Sequence, residues 1–467
     1  MNEYLNLLKN NHITADIVEM MIKDHEPDHK RMKRLYERYK ASLEGVPILQ
    51  RTPVEYEDFE TATIKRIDNK VNNRLNNAFD ADIVDTKTGY MFGYPISYSI
   101  DDKQSPWQRE IEKFLLRNNV EDVDSETGKM AAICGYAARL SYVDVDGKER
   151  IMNVDPWETI ILSATDMTEP QYALRYYTVY DWLNSAKISK RKAEFYDDTN
   201  VYFFESTGEQ KLQYVGEQPH LFDYCPLFGI PNNKELMGDA EKVLKLIDAY
   251  DRTISDASNE IEQYRLAYLI LKGLGADEET LAQVKKAGIF ELFDEKDDVK
   301  YLTKDINDAL IEHHLDRIEK NIIRFAKSVN FTDEAFSGNL SGVAMKFKIM
   351  ALENKSITME RKMTAALRYQ FKLLCSAWAK KGICSKDDYL KVWFSFKRNL
   401  PVNLLDEAQT TAQLRGQVSE RTRLSLLSFV DDVDYELEEM KKEEEEMNLE
   451  PLGGEDDNEP TGNRGIS

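Results

Sequence analysis

Between residues 238 and 268 the apolar positions recur in alternating steps of four and three: Val243, Ile247, Tyr250, Ile254, Ala257, Ile261, Tyr264 and Tyr268. A second run does the same through Ile311, Leu315, Ile318, Ile322, Phe325 and Val329. A heptad seam of this kind is narrower than the apolar face of an ordinary core helix. At about 1.5 Å per residue it predicts two helices on the order of 30–45 Å long. The rest of the first helix carries Asp239, Glu241, Lys242, Lys245, Asp248, Asp251, Arg252, Asp256 and Glu262, which the pattern assigns to its surface. Two such helices leave wide polar faces in a globule and suit a thin-walled assembly in which neighbouring copies cover the seam. Between them, LAYLILKG (266–273) reads as a strand and DEETLAQVKKA (277–287) as a short helix. IFELFD and DVKYLT then read as a hairpin around Glu295–Asp298.

Upstream, the pattern mixes helix and strand. Residues 16–44 and 65–83 (KRIDNKVNNRLNNAFDADI) read as helices, and 90–100, 137–154 and 171–180 as strands. Asp146-Gly147 sits between β-prone runs and predicts a hairpin turn. DVDG resembles the start of a calcium loop only faintly, because the bidentate Glu expected near the loop end is missing. Downstream, a Gly/Ser-containing break at 330–342 precedes a long basic helix from about Val343 to Lys381. Its apolar side is read as Val343, Phe347, Met350, Met363, Leu367, Phe371, Leu374 and Trp378. A strand is expected at 389–400, then helices in LLDEAQTTAQLRG and DVDYELEEMKKEEEE, then an acidic Gly/Pro tail expected to be disordered. The class is α+β and helix-rich.

Composition changes the picture in two ways. Hydrophobic residues make up 42% of the 467, so sizeable cores are expected, and no apolar run approaches the roughly 20 residues of a membrane helix. The N-terminal stretch lacks the pattern of a signal peptide, so synthesis in the cytosol is expected. The net charge of −22 argues against tight, static binding of nucleic acid, which depends on Lys and Arg.

Candidate chemistry is sparse. Cys134, Cys225, Cys375 and Cys384 include no CxxC pair, so they read as buried free thiols rather than zinc ligands or disulfides. No GxxxxGK[ST] loop, HExxH or GxSxG occurs. His313 and His314 are adjacent on a helix, about 100° apart, and do not form one metal-binding face. No catalytic residue, metal or cofactor is expected, and the chain reads as non-enzymatic. A nuclease or a DNA-pumping motor would need a phosphate loop or a carboxylate constellation on strands, and the sequence offers neither. A smaller ring-forming adaptor protein is usually shorter and would not hold two long helices around an insert.

Several segments, in order, carry a family resemblance: NNRLNNAFDADIVDTKTGYMFGYPISYS (72–99), ALRYYTVYD (173–181) and CPLFGIPNNKELMGDAEKVLKLIDAYDRTISDASNEIEQYRLAYLILKG (225–273). SGVAMKFKIMALENKSITMERKM (341–363) and VSERTRLSLLSFVDDVDYELEEM (418–440) follow. The ordered set resembles the portal proteins of tailed bacteriophages, in the branch common among phages of Gram-positive hosts.

The resemblance implies the portal fold, with wing, stem, clip and crown, in a ring of about twelve copies around an axial channel at one capsid vertex. It maps 1–237 to the N-terminal part of the wing, 238–265 and 306–329 to the stem helices and 266–305 to the clip. The tunnel loop is then 330–342, the wing's long helix and strand 343–401, the crown 402–446, and the tail 447–467. The stem would pack through Val243, Ile247, Tyr250, Ile254, Ile261, Ile311, Leu315, Ile318, Ile322 and Phe325. Asn330, Thr332, Asp333, Glu334, Phe336, Ser337, Gly338, Asn339, Ser341 and Gly342 would meet DNA in the channel. Asp294, Glu295, Lys296, Asp297 and Asp298 would form the partner-docking tip of the clip. The implied partners are further copies of the chain, double-stranded phage DNA in transit, the terminase large subunit, head–tail adaptors, and the major capsid and scaffolding proteins. No membrane is involved, and the implied location is the virion. An acidic wall suits DNA that slides, because clustered Arg would hold each phosphate at every step.

Overall fold

A computed structural model describes residues 2–52, 55–58, 63–66, 72–100, 105–183, 186–208, 210–264, 268–272, 298–302, 308–331, 342–400, 404–427, 429–430 and 433–449. The chain divides into two units, Met1–Asn399 and Leu400–Ser467.

In the first unit, helices α1 (Asn2–Asn10) and α2 (Ala15–Tyr39) come first, with Thr14 capping the start of α2 through its hydroxyl. Strands β1 (Glu55–Asp58) and β2 (Thr63–Arg66) pair antiparallel. Helix α3 (Phe79–Phe92), β3 (Ser97–Ser99), α4 (Pro106–Asn118) and α5 (Val120–Cys134) follow. Strands β4 (Tyr136–Val143) and β5 (Glu149–Val154) form a hairpin, joined in an antiparallel three-stranded sheet by β11 (Leu227–Pro231) in the order β11-β4-β5. The second sheet is an antiparallel meander of β6 (Thr159–Leu162), β7 (Tyr172–Leu183), β8 (Ala186–Tyr196), β9 (Asn200–Thr207) and β10 (Gln213–Pro219).

The apolar periodicity explains how these layers meet. Leu5 and Leu8 of α1 with Val18 and Met21 of α2 cover Leu174, Phe195 and Phe204 of the meander. Lower on α2, Met32 and Leu35 pack with Ala132 and Cys134 of α5 and with Tyr136, Ala138 and Leu140 of β4. One α2 helix thus serves both sheets.

Helices α6 (Leu244–Tyr264) and α7 (Asp308–Ala326) flank the pair β12 (Tyr268–Lys272) and β13 (Asp298–Leu302). Helix α8 (Gly342–Lys380) is the longest, and β14 (Trp393–Ser395) closes the unit by pairing with β3. The second unit holds α9 (Leu404–Gln413), α10 (Glu420–Leu424) and α11 (Val433–Leu449), with Ser419 capping α10.

The structure departs from the sequence reading at several places. The expected helix at 65–83 is strand β2 at its start and has no regular secondary structure from 72 to 78, with Ala78 left-handed at φ 49°; the helix begins only at Phe79. The expected strand at 90–100 shrinks to 97–99, because Ile83, Val84, Lys87, Tyr90 and Met91 are buried at helical spacing and carry α3 through to Phe92. The strand at 389–400 shrinks to 393–395. At Asp146-Gly147 the turn takes three residues, with Asp144 N–H donating to Lys148 O at 2.9 Å and Gly147 left-handed at φ 69°. The Asp144 carboxylate accepts from the backbone N–H of Asp146 and Lys148 and from Arg150, which holds it below the usual carboxylate range without any metal. On α8, Phe347 and Met350 are exposed while Ile349 and Leu352 are buried. Residues 277–287, IFELFD and the tail after 449 lie outside the described residues.

Candidate functional site

The seam helices α6 and α7 run antiparallel, since the start of one packs on the end of the other. Val243 and Ile247 meet Ile318, Ile322 and Ala326, with Ile83 of α3 closing the cluster. Burying each of the Val and Ile side chains here stabilises the foot by roughly 1.5–3 kcal/mol. Tyr250 stands edge-on to Phe79, ring centroids 5.1 Å apart. Burial fades away from the foot. Ile254, Ile311 and Leu315 are half-buried, whereas Ile261 is 60% exposed and Leu310 66%. Phe325, expected in the seam, is 55% exposed and carries Arg324 over its ring.

The polar side of α6 is not the solvated surface that the sequence pattern assigned. Asp251, Ser255 and Asn259 are buried at four-residue spacing. They accept hydrogen bonds from the segment 72–78: Asn77 N–H to Asp251 at 3.1 Å, Leu75 N–H to Ser255 at 3.0 Å and Asn73 N–H to Asn259 at 2.7 Å. The geometry follows from two repeats. Four residues of helix rise about 6 Å and two residues of strand about 6.6 Å, so a helix stripe can satisfy every second N–H of an extended chain. Asn73 and Asn77 add side-chain bonds to Glu262 and Asp251. Asn side chains compete with backbone bonding, and α6 supplies the partners that an isolated 65–83 helix would have provided for itself. Ser255→Ala is expected to cost about 1–2 kcal/mol, because Leu75 N–H loses its acceptor. Hydrogen exchange across 72–78 should speed up while exchange in the two sheets stays unchanged.

Ion pairs anchor the foot. Arg38 on α2 is buried and forks onto Asp80 of α3 at 3.0 and 3.1 Å, with Asp248 of α6 at 2.7 Å. Asp239, just before α6, is buried between Lys87 of α3 at 3.1 Å and Lys355 of α8 at 3.2 Å, and Asn232 donates to it at 2.9 Å. These cations hold the Asp239 carboxyl below its ordinary value, although burial alone would raise it. Burial, the largest cause, lowers Lys355 to about 8, and Lys355 also donates to Ala326 O at the end of α7 at 2.8 Å. The Asp239 N–H donates to Ala132 O at 2.7 Å, so the same residue also caps α5. The close approach needs glycine: a Cβ on Gly238 would lie 2.2 Å from Ile133 O, and one on Gly135, at φ 95°, 2.0 Å from Leu236 O.

The chain's long-range likeness matches this architecture. The family described as "Phage portal protein, SPP1 Gp6-like" matches residues 19–449. The chain belongs to this phage portal protein family. Its relatives include the portal protein of Bacillus phage SPP1, 26% identical over 418 residues, which are 84% of this chain and 81% of that one. The portal protein of Clostridium phage phiCD119 is 26% identical over 397 residues, covering 80% of this chain and 85% of the relative.

Within this member of the portal family, the residues expected to act are brought together unevenly. Val243, Ile247, Ile318 and Ile322 form the seam's buried foot. Asn330 is half-buried beyond the end of α7, Thr332 to Ser341 lie outside the described residues, and Gly342 opens α8. Asp294 to Asp297 also lie outside them, whereas Asp298 opens β13 opposite Lys272, and that strand's partner among the described residues is 268–272. His313 and His314 are exposed on α7, and the described residues hold no cluster of His, Cys, Asp or Glu that would bind a metal. No helix among them is long and apolar enough to cross a membrane. The sequence reading missed Arg38, Asp80 and Lys87 altogether, took Lys355 only as one of the basic residues of the long helix, and placed Asp239, Asp248 and Asp251 at the surface. The four-residue spacing of Asp251, Ser255 and Asn259 was the available signal for the polar stripe; no local signal marks the ion pairs.

Several basic residues of α8, and Lys381 just after it, pair within the unit, whereas Arg361 and Arg368 are exposed. Lys362 pairs with Asp166 at 2.7 Å, Lys372 with Glu169 at 3.0 Å, Lys380 with Asp223 at 2.7 Å and Lys381 with buried Glu149 at 2.6 Å.

Proposed function

We propose that this chain is the structural, non-enzymatic subunit of a ring of about twelve copies at one vertex of a phage capsid. The ring's axial channel passes double-stranded DNA during packaging and ejection. The observation that carries the reading is the burial gradient along α6 and α7: Val243, Ile247, Ile318 and Ile322 are buried at the foot, while Ile261 near the far end of α6 is 60% exposed. Apolar side chains on paired long helices need cover, and in a ring the neighbouring copies supply it.

The helices are about 30 Å long, a length of duplex that carries roughly 18 phosphates. Much of the acid on α6 serves its own chain, through Arg38, Asn77, Asn73 and Arg51. The outer face of α7, with Glu312, Asp316, Arg317, Lys320 and Arg324 exposed, offers mixed charge without an Arg cluster. Such a face suits passage rather than grip. In this reading 238–265 and 306–329 form the stem, 266–305 the clip that docks terminase and later the adaptors, 330–342 the tunnel loop, and 402–446 the crown. The remainder to 401 is the wing.

Native mass spectrometry with low-resolution imaging tests this. A ring-shaped particle near twelve times the 54.1 kDa chain, with an axial hole, is the expected result. A monomer that forms no ring even with scaffolding protein added would overturn it.

A further inference from the structure

Helix α8 ends in a turn that folds the chain back on itself. Gly382 is left-handed at φ 72°, and the Ile383 N–H donates to Trp378 O at 3.0 Å, with Gly382 N–H on Ala379 O at 3.0 Å. This is the glycine-terminated helix stop in which the residue after the glycine packs back on the last turns. The reversal brings Cys384, nine residues on, back against the apolar cluster that buries Cys375 of α8. Both sit in one apolar cluster with Phe371, Leu374, Trp378 and Val392. Cys375 is fully buried, while Cys384 is half-exposed and reachable.

We propose that Cys375 and Cys384 form a redox-responsive dithiol that closes to an intrachain disulfide when the protein meets a low-molecular-weight disulfide. The roles follow from the asymmetry of the pair. Cys384 is half-exposed and meets the reagent first, whereas Cys375 is buried and attacks second. Cys384 attacks the reagent's disulfide, forming a mixed disulfide and releasing one thiol that takes up the Cys384 proton. Cys375 then attacks the Cys384 sulfur, breaking the bond to the reagent and releasing the second thiol with the Cys375 proton. Two protein thiols are oxidised and one reagent disulfide is reduced to two thiols. The product staples the end of α8 to the segment leading into β14. A chain folded in a reducing cytosol would thus gain its cross-link only after reaching an oxidising medium.

The other two cysteines are internal controls. Cys134 and Cys225 are buried singly, their thiols directed at the carbonyls of Met32 and Leu227.

The test treats the full chain with oxidised glutathione under native conditions. Two of the four thiols should be lost. Tryptic mapping should join the peptide Leu373–Lys380 to Gly382–Lys386, and dithiothreitol should separate them. Cys384→Ser should retain its thiols and form no cross-link, and its half-exposed position lets that variant fold. Retention of all four thiols, or a lasting glutathione adduct on Cys384 with Cys375 still free, would overturn the proposal. None of these readouts depends on ring formation.

Discussion

Arg38→Ala is expected to lower the free energy of unfolding by about 3–5 kcal/mol, enough to remove most folded protein from a marginal domain. Arg38 has a side-chain exposure of 1%, and it separates Asp80 and Asp248, at 7% and 11%. Deleting the guanidinium leaves two carboxylates close together in a poorly solvated site, and each must protonate or pull the helices apart to reach water. Arg38→Lys keeps the charge but loses the two-pronged geometry, so an intermediate loss is expected. Exchange of the exposed pair partner, Lys211→Ala beside Asp16, should leave the urea midpoint unchanged, because both side chains are more than 80% exposed. Urea titration followed by tryptophan fluorescence measures all three. A loss under about 1 kcal/mol for Arg38→Ala would mean that water enters the site and that this anchor is not structural.

Asp239→Asn is the second large effect, again about 3–5 kcal/mol near neutral pH, because it leaves the Lys87 and Lys355 ammonium groups buried without a counter-charge. Its pH dependence has a definite sign. A buried lysine whose folded pKa lies below its unfolded value binds fewer protons when folded, so stability rises with pH through the folded pKa. Lys355 stands at about 8 with Asp239 present, and Lys87 is also lowered by burial. Removing the carboxylate lowers both further, so the variant regains stability over a lower pH range than the parent. The deficit should therefore shrink between about pH 6 and pH 9. A deficit that grows over that interval would rule out the charge argument. Because Asp239 also touches the end of α5 and stands before α6, the variant should loosen the foot of the paired helices first, which hydrogen exchange at 239–247 would show.

These two sites lie where the sequence was least legible. The heptad steps through Val243, Ile247, Ile318 and Ile322 placed both long helices, because a buried seam leaves a period that any reader of the chain can count. The hairpin within 137–154 was legible from Asp146-Gly147 between β-prone runs, and the long helix from Val343 from its apolar side. The family resemblance was carried by ordered segments, and the match over 19–449 establishes it.

Charged residues gave the opposite result. Asp248 and Asp251 lie on the polar side of α6, and polarity there was read as solvent. Whether a carboxylate faces water or a buried Arg38 depends on which distant segment arrives, here α2 and the chain at 72–78. NNRLNN was likewise ambiguous: in isolation it is neither a good helix nor a good strand, and the acceptors on α6 hold it in a non-helical form.

Short-range physics therefore set the elements of this portal-family chain: where apolar side chains repeat, where a glycine stops a helix, where the core residues lie. Tertiary contact alone set the partners. Arg38 with Asp80 and Asp248, and Asp239 with Lys87 and Lys355, are joined by charge across the fold, and the turn after α8 brings Cys384 to the cluster around Cys375. Apolar burial is non-directional and needs only a face, so its period is written along the chain. A buried ion pair or a thiol pair needs one particular atom at bonding distance, and folding alone brings that atom there.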